Sequence, residues 1–362
     1  MVETTETTRH KEYSLIAAFI AVITLFIFGT TQNFAFIVVI NIISIVAILA
    51  SAISVVRHAD VIAHRLGEPF GSLVLTLCVV LLEVCLISIL MVSGDTAPTL
   101  LRDTLYAIIM IVLCGLVGIS LLLGGRKHST QYLNLAGIGQ YLISIIPLAV
   151  IILILPIAFE NHTFKTWQLI LVSIFCVALY SIFLIVQTRT HKSFFIYEDE
   201  DLSGDSHHGK PSSHSSKWHI MWLVIHLICV IAVTKLNSGM LGTLLTTLNA
   251  PAVFTGFIVA CLTLSPEGLG AIRAILNKEV QRGMNLLFGS VVATISLTVP
   301  IVVIVSSLIG KELVLGLSLA NAILLSVTLL LCQSSFATGK TNKLTGIAHL
   351  VMFGAYLMVM FS

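Results

Sequence analysis

Two glutamates lie deep in apolar sequence: Glu83 in Leu77-Cys78-Val79-Val80-Leu81-Leu82-Glu83-Val84, and Glu267 in Ala260-Cys261-Leu262-Thr263-Leu264-Ser265-Pro266-Glu267-Gly268. A carboxylate in the hydrocarbon layer costs about 2.5–3.5 kcal/mol even on the gentlest scale, so an acid placed there marks an ion or proton pathway. The two stand 184 residues apart, near the middle of each half of the chain. An internally repeated transporter places its ion site at such positions.

The residues around them fit a hard cation. Pro266 has no backbone N–H to give the carbonyl of Leu262, and Gly268 and Gly270 loosen the turn beyond it, which predicts a broken helix there. Unpaired carbonyls at membrane depth are tolerated where they line a cavity or bind something. Glu267, Ser265, Thr263 and the Leu262 carbonyl from one half, with Glu83 and Thr76 from the other, make the oxygen-rich set that Ca²⁺ takes, ~6–8 ligands at ~2.3–2.6 Å. Soft ligands are not part of this set. His226 and His349 read as isolated packing histidines, and all seven cysteines fall in apolar runs without metal or redox spacing. No Lys or Arg stands mid-span to neutralise either glutamate. The reading calls for no cofactor; Ca²⁺, Na⁺ or K⁺, and H⁺, enter as cargo.

Composition fixes what must position these groups. Hydrophobic residues make up 57% of the 362, charged residues 10%, and mean hydropathy is +1.05. That is an all-α integral membrane protein. A net charge of +2 with no basic stripe excludes nucleic acid as a partner and leaves the lipid bilayer and small cations. About eleven transmembrane helices are predicted, near 13–29, 34–56, 70–92, 99–123, 138–158, 166–187, 218–236, 247–275, 281–308, 312–332 and 344–361. The stretch after Arg9 and Lys11 has no cleavage site of signal-peptide type and is kept as a helix. With the N-terminus cytoplasmic, 15 of the 19 basic residues fall inside, leaving Arg102, Lys165, Lys235 and Lys311 outside and the C-terminus periplasmic.

Four segments follow: 1–33, a tail and first helix; 34–187, a five-helix repeat; 188–217, a cytoplasmic loop; and 218–362, a second five-helix repeat. An odd number of spans per repeat makes the two inverted. A shift of 184 maps Phe34 onto Trp218, Phe70 onto Phe254, Thr99 onto Gly283 and Glu83 onto Glu267. The loop holds Glu198-Asp199-Glu200-Asp201, Asp205, His207, His208 and His214 among Ser and Gly, the composition of a solvated linker, with cation sensing as the alternative.

Several runs carry a family resemblance. Gly67-Glu68-Pro69-Phe70-Gly71 leading to Leu82-Glu83-Val84, the stretch Asp95-Thr96-Ala97-Pro98-Thr99 through Tyr106, Leu264-Ser265-Pro266-Glu267-Gly268-Leu269-Gly270-Ala271, and Gln281-Arg282-Gly283-Met284-Asn285-Leu286 resemble bacterial calcium/proton antiporters of the calcium/cation antiporter superfamily. The likeness extends through His207-His208-Gly209-Lys210-Pro211 and Thr338-Gly339-Lys340-Thr341-Asn342. Its enterobacterial branch, which exchanges sodium, potassium and calcium for protons, is the most similar. The resemblance implies the inverted-repeat exchanger fold in a bacterial inner membrane and assigns ion binding to Glu83 and Glu267. It adds Ser290, from Gly289-Ser290, and Asn285 to the ion- and proton-binding set. The chain departs from the pattern at Val80 and Leu264, where the superfamily often has Asn, and around Tyr106-Ala107, where a first-repeat Gly-Ser is absent. Fewer amide oxygens favour Na⁺ or K⁺ alongside Ca²⁺. Asp103, beside Arg102, is either a further ligand or an interfacial ion pair.

Competition of protons and cations for the two carboxylates would give exchange. A monovalent antiporter, a channel with acidic rings and an embedded acid/base enzyme are the other readings. No nucleophile elbow, metal motif or phosphate loop supports an enzyme.

Overall fold

A computed structural model describes residues 12–66, 70–93, 98–128, 130–196 and 214–362. Eleven helices order the described residues. They are α1 (Tyr13–Phe28), α2 (Phe34–Leu66), α3 (Phe70–Ser93), α4 (Leu100–Lys127), α5 (Leu135–Ala158), α6 (Thr166–Thr190), α7 (Ser216–Thr247), α8 (Val253–Leu276), α9 (Val280–Ile309), α10 (Leu319–Phe336) and α11 (Lys343–Met360). Nine of these are long and apolar enough to cross a membrane. Large apolar side chains such as Trp167, Ile174, Leu330 and Val351 are exposed on them, and Phe19 and Phe26 on the shorter α1, a surface suited to hydrocarbon.

The chain divides into two compact units, Met1–Asp95 with Gly204–Ala250, and Thr96–Ser203 with Pro251–Ser362. In the first, α2 packs along α7, with α1 and α3 against both. At 33 and 32 residues these two helices run about 50 Å, well beyond the ~30 Å hydrocarbon core. The surplus of α2 carries Arg57, His58, Asp60 and Arg65. Buried amides cross-link the pair: Asn237 Nδ2 donates to Asn41 Oδ1 (3.1 Å), and Asn41 Nδ2 donates to the Met240 carbonyl (3.4 Å).

In the second unit α8 packs on α4 and α9, α9 on α6 and α5, and α11 on α4. Small residues set the closest approaches: a Cβ on Gly256 of α8 would stand 2.7 Å from the Thr104 amide nitrogen of α4. Midway along α4 the helix widens into a π-helical stretch, Ile111–Leu116.

Three expectations are corrected here. The apolar run 247–275 is not one broken helix. Its first residues close α7 and turn through Asn249, whose φ is 50°, and α8 then runs unbroken from Val253 to Leu276 with Pro266 inside it. The loss at Pro266 is therefore one backbone hydrogen bond, and Gly268 serves close packing, since a Cβ there would stand 2.9 Å from Leu116 Cδ1. The run 312–332 likewise does not start as helix. Gly310, at φ 67°, ends α9, and α10 begins only after Ser318 caps it. Between them Leu313, Leu315 and Leu317 are buried on non-helical backbone, with amides bonded to the carbonyls of Pro98 (from Val314), His162 (from Gly316) and Leu153 (from Leu317).

The third correction concerns the loop at 188–217. Its described beginning is docked: a 3₁₀ turn, Lys192–Phe195, sets Phe195 against Tyr141 and Phe183, and Asn134 Nδ2 donates to the carbonyls of Ser193 and Ile196. The acids Glu198 to Asp201, Asp205 and His207-His208-Gly209-Lys210-Pro211 lie outside the described residues, as do Gly67-Glu68-Pro69 and Asp95-Thr96-Ala97. The helical fold also carries one two-residue ladder, β1 (Gln131–Tyr132) antiparallel to β2 (Lys340–Thr341), formed by the Thr338-to-Asn342 stretch.

Candidate functional site

The two glutamates occupy equivalent places on equal helices. Glu83 is the fourteenth of the 24 residues of α3 and Glu267 the fifteenth of the 24 of α8. In the first unit, Glu83 is 1% exposed, on a stripe with Val79, Val80, Leu86, Ile87 and Leu90, while Leu77, Leu81 and Val92 form the exposed stripe opposite. Half-buried Thr76 precedes Glu83 by seven residues, two helical turns, and so lies on the same side. Helical periodicity alone thus turns this carboxylate inward.

In the second unit, Glu267 accepts a hydrogen bond from the Ser290 hydroxyl of α9. Ser290 opens a line of buried hydroxyls at four-residue spacing, Ser290, Thr294 and Thr298. Thr263 stands one turn before Glu267 on the same face, and its hydroxyl donates to the carbonyls of Val259 (3.2 Å) and Ala260 (3.1 Å). A hydroxyl that donates back along its own helix keeps its oxygen lone pairs for a cation. Ser265 donates to the Cys261 carbonyl and stands about 200° around the helix from Glu267, on another face. Pro266 leaves the Leu262 carbonyl without its helical donor.

The structure gives Asn285 a different place from the ion-binding set. Its Nδ2 donates to the Phe195 carbonyl (2.6 Å) and its Oδ1 accepts from Gln281 Nε2 (2.9 Å). Both polar ends are thereby engaged, Nδ2 in holding the 192–195 turn against α9 and Oδ1 within α9 itself. Asp103 is an ion pair: its Oδ1 lies 2.7 Å from Arg102, its Oδ2 accepts from Thr99 (2.7 Å), and Arg102 also donates to the Gly316 carbonyl (3.0 Å). His349 is a packing residue, bonded to the Leu113 carbonyl (2.6 Å) and Ser335 (3.0 Å).

His226 is not isolated, contrary to the sequence reading. In the first unit it meets Glu12, just before α1, at 3.0 Å; Glu12 also pairs with Arg57 (2.6 Å) and faces His58 (3.4 Å), whose Nδ1 lies 2.8 Å from His219 Nδ1. Burial alone would push the Glu12 carboxyl up, but the His226 hydrogen bond and the Arg57 charge together hold it below its ordinary value. The available sequence signal was His219 and His226 at a seven-residue spacing on one helical face.

The model of the family described as "Sodium/calcium exchanger protein" matches residues 36–189 and 218–362. The chain is 58% identical over 357 residues to the sodium-potassium/proton antiporter ChaA of Escherichia coli, covering 98% of each chain. It is 24% identical over 318 residues to a Ca(2+)/H(+) antiporter of Aphanothece halophytica, covering 83% of this chain and 84% of that one. Among solved structures, native YfkE shares the fold with a TM-score of 0.73 at 19% identity, over 96% of this chain and 99% of the other.

Proposed function

The chain belongs to the sodium/calcium exchanger protein family as a multi-pass cation/proton antiporter, and we propose that it exports Ca²⁺, with Na⁺ and K⁺ as further cargo, in exchange for protons bound by Glu83 and Glu267. The observation that carries this reading is the matched pair of carboxylates, each turned inward near the middle of a 24-residue helix, one in each unit.

Charge decides the cycle. With Ca²⁺ bound the two carboxylates sum to zero, and with two protons they again sum to zero. Empty, they leave two charges in a poorly solvated place, at a cost of about 2.5–3.5 kcal/mol each on the gentlest scale. Conformational exchange of the empty carrier is therefore slow, and turnover needs cargo in both directions. Ser290 stabilises the charged form of Glu267 by donating to it, which keeps the carboxylate competent for cations. The Thr263 and Thr76 hydroxyls and the Leu262 carbonyl supply neutral oxygens, the kind a hard ion adds to its carboxylates.

A monovalent exchanger with little Ca²⁺ transport is the second reading. Val80 and Leu264 supply no amide oxygen one turn before each glutamate, and the relative at 58% identity is named for sodium and potassium. We assign the protein to a bacterial inner membrane with its N-terminus cytoplasmic, on the 15-to-4 split of basic residues. Proton flux in everted vesicles, with Ca²⁺, Na⁺ and K⁺ added separately, tests the proposal. Ca²⁺ should release protons from the vesicle lumen; a response to Na⁺ and K⁺ alone selects the monovalent reading, and no response to any of the three removes both.

A further inference from the structure

The cluster on Glu12 lies outside the machinery assigned to exchange, and its chemistry differs from what the cargo needs. His58 and His226 are 0% exposed, their rings 6.0 Å apart and within 21° of parallel. One oxygen of Glu12 and one nitrogen of each ring lie within 4.8 Å of one another. Glu12 meets the two rings through different oxygens, Oε1 lying 3.4 Å from His58 Nε2 and Oε2 3.0 Å from His226 Nε2, both near the ~3.3 Å that separates ligands around a tetrahedral ion with bonds of ~2.0–2.1 Å.

We propose that Glu12, His58 and His226 form a binding site for a borderline transition-metal cation of the Zn²⁺ class, separate from the transported ions.

The division of the Glu12 carboxylate supports it. Arg57 holds Oε2 at 2.6 Å, whereas Oε1 is buried without a hydrogen bond among the described residues. An ion taken on Oε1 leaves the Arg57 pair intact and replaces the proton that His226 Nε2 shares with Oε2. The imidazole pair supports it too. At 2.8 Å between His58 Nδ1 and His219 Nδ1 only one nitrogen carries the shared proton. Where His58 Nδ1 donates to His219, Nε2 keeps the lone pair that a metal takes, and that hydrogen bond fixes the ligand's tautomer. Two imidazoles with one carboxylate suit Zn²⁺, Co²⁺ or Ni²⁺ and disfavour Ca²⁺, Na⁺ and K⁺, which take oxygen. Occupancy would tie the start of α1 to α2 and α7.

The test uses the full chain carrying Glu83→Gln and Glu267→Gln, purified in detergent through a tag without histidine, stripped with chelator and titrated with Co²⁺. One Co²⁺ per chain should give ligand-field bands of low-coordinate cobalt, displaced by Zn²⁺ and not by a large excess of Ca²⁺. Glu12→Gln, His58→Asn and His226→Asn should each weaken binding at least about tenfold, while His207→Gln with His208→Gln should not. X-ray absorption on this parent, in which Glu12, His58 and His226 are all unchanged, should show two imidazoles in the cobalt shell. Absence of binding, displacement by Ca²⁺, variants that bind like the parent, or a shell without imidazole each overturns the assignment.

Discussion

Gly256→Ala tests whether the approach of α4 to α8 holds Glu267 in place. A Cβ at this position would meet backbone, the Thr104 nitrogen at 2.7 Å and the Asp103 carbonyl carbon at 2.8 Å, so no side-chain rotation relieves it. Restoring an ordinary contact requires the helices to part by about 0.7 Å, a gap that forfeits a quarter to a half of the dispersion energy between atoms on either side. Overpacking of this kind costs ~1–3 kcal/mol. Alanine recovers ~0.5–1 kcal/mol of helix propensity, leaving a net loss of about 1–2 kcal/mol. Gly239, on α7, is the control, because nothing stands within 4 Å of a Cβ there and only the propensity gain remains. The two variants should differ by about 2 kcal/mol, or about thirtyfold in an equilibrium constant. Retention of the monodisperse peak after heating in detergent reads stability, and cation-driven proton flux reads function. Gly256→Ala should lose both, and Gly239→Ala neither. Equal stability of the two would refute the close backbone contact, and full exchange in a destabilised Gly256→Ala would refute its bearing on Glu267.

Ser290→Ala removes the hydroxyl that donates to Glu267; hydrogen bonds to charged groups contribute ~1.5–3 kcal/mol, so apparent cation affinity in vesicles should fall by roughly tenfold or more, and an unchanged affinity would separate Ser290 from the site. Asn285→Ala should lower thermal stability by ~1–3 kcal/mol, through the orphaned Phe195 carbonyl, and leave cation affinity at the wild-type value; a large affinity loss at normal stability would restore Asn285 to the ligand set. Pro266→Ala gives the Leu262 carbonyl its missing donor, so the helix should insert normally and bind cations more weakly. Unchanged affinity there would limit Pro266 to packing.

Helix number and most helix positions were legible because spans of about 20 apolar residues have few alternatives in a bilayer. The failures were local. Leu313, Leu315 and Leu317 are as apolar as a span, yet Gly310 and Ser318 end one helix and start another around them, and their non-helical backbone is paired inside the protein. Pro266 read as a break, but a proline inside a helix removes a single bond, and packing against α4 and α9 keeps α8 continuous. Glu83 and Glu267 stood out because a charge in apolar sequence is conspicuous wherever the chain folds. The Ser290 partner of Glu267 came only through family resemblance, since a serine in a helix carries no signal of its own. The Glu12, His58, His219 and His226 cluster showed in sequence only as the His219–His226 spacing, because three separate segments build it and only the packing of α1, α2 and α7 joins them.

The central claim is that both glutamates serve one exchange cycle. Glu83→Gln and Glu267→Gln keep side-chain shape and remove charge; removing a buried charge lowers desolvation cost, so both proteins should insert at normal levels. In everted vesicles each single variant should abolish proton movement driven by Ca²⁺, because one carboxylate neither neutralises the ion nor carries its counter-protons. If either variant, present at the wild-type level, exchanged Ca²⁺ for protons at the wild-type rate, the paired-carboxylate account would be wrong.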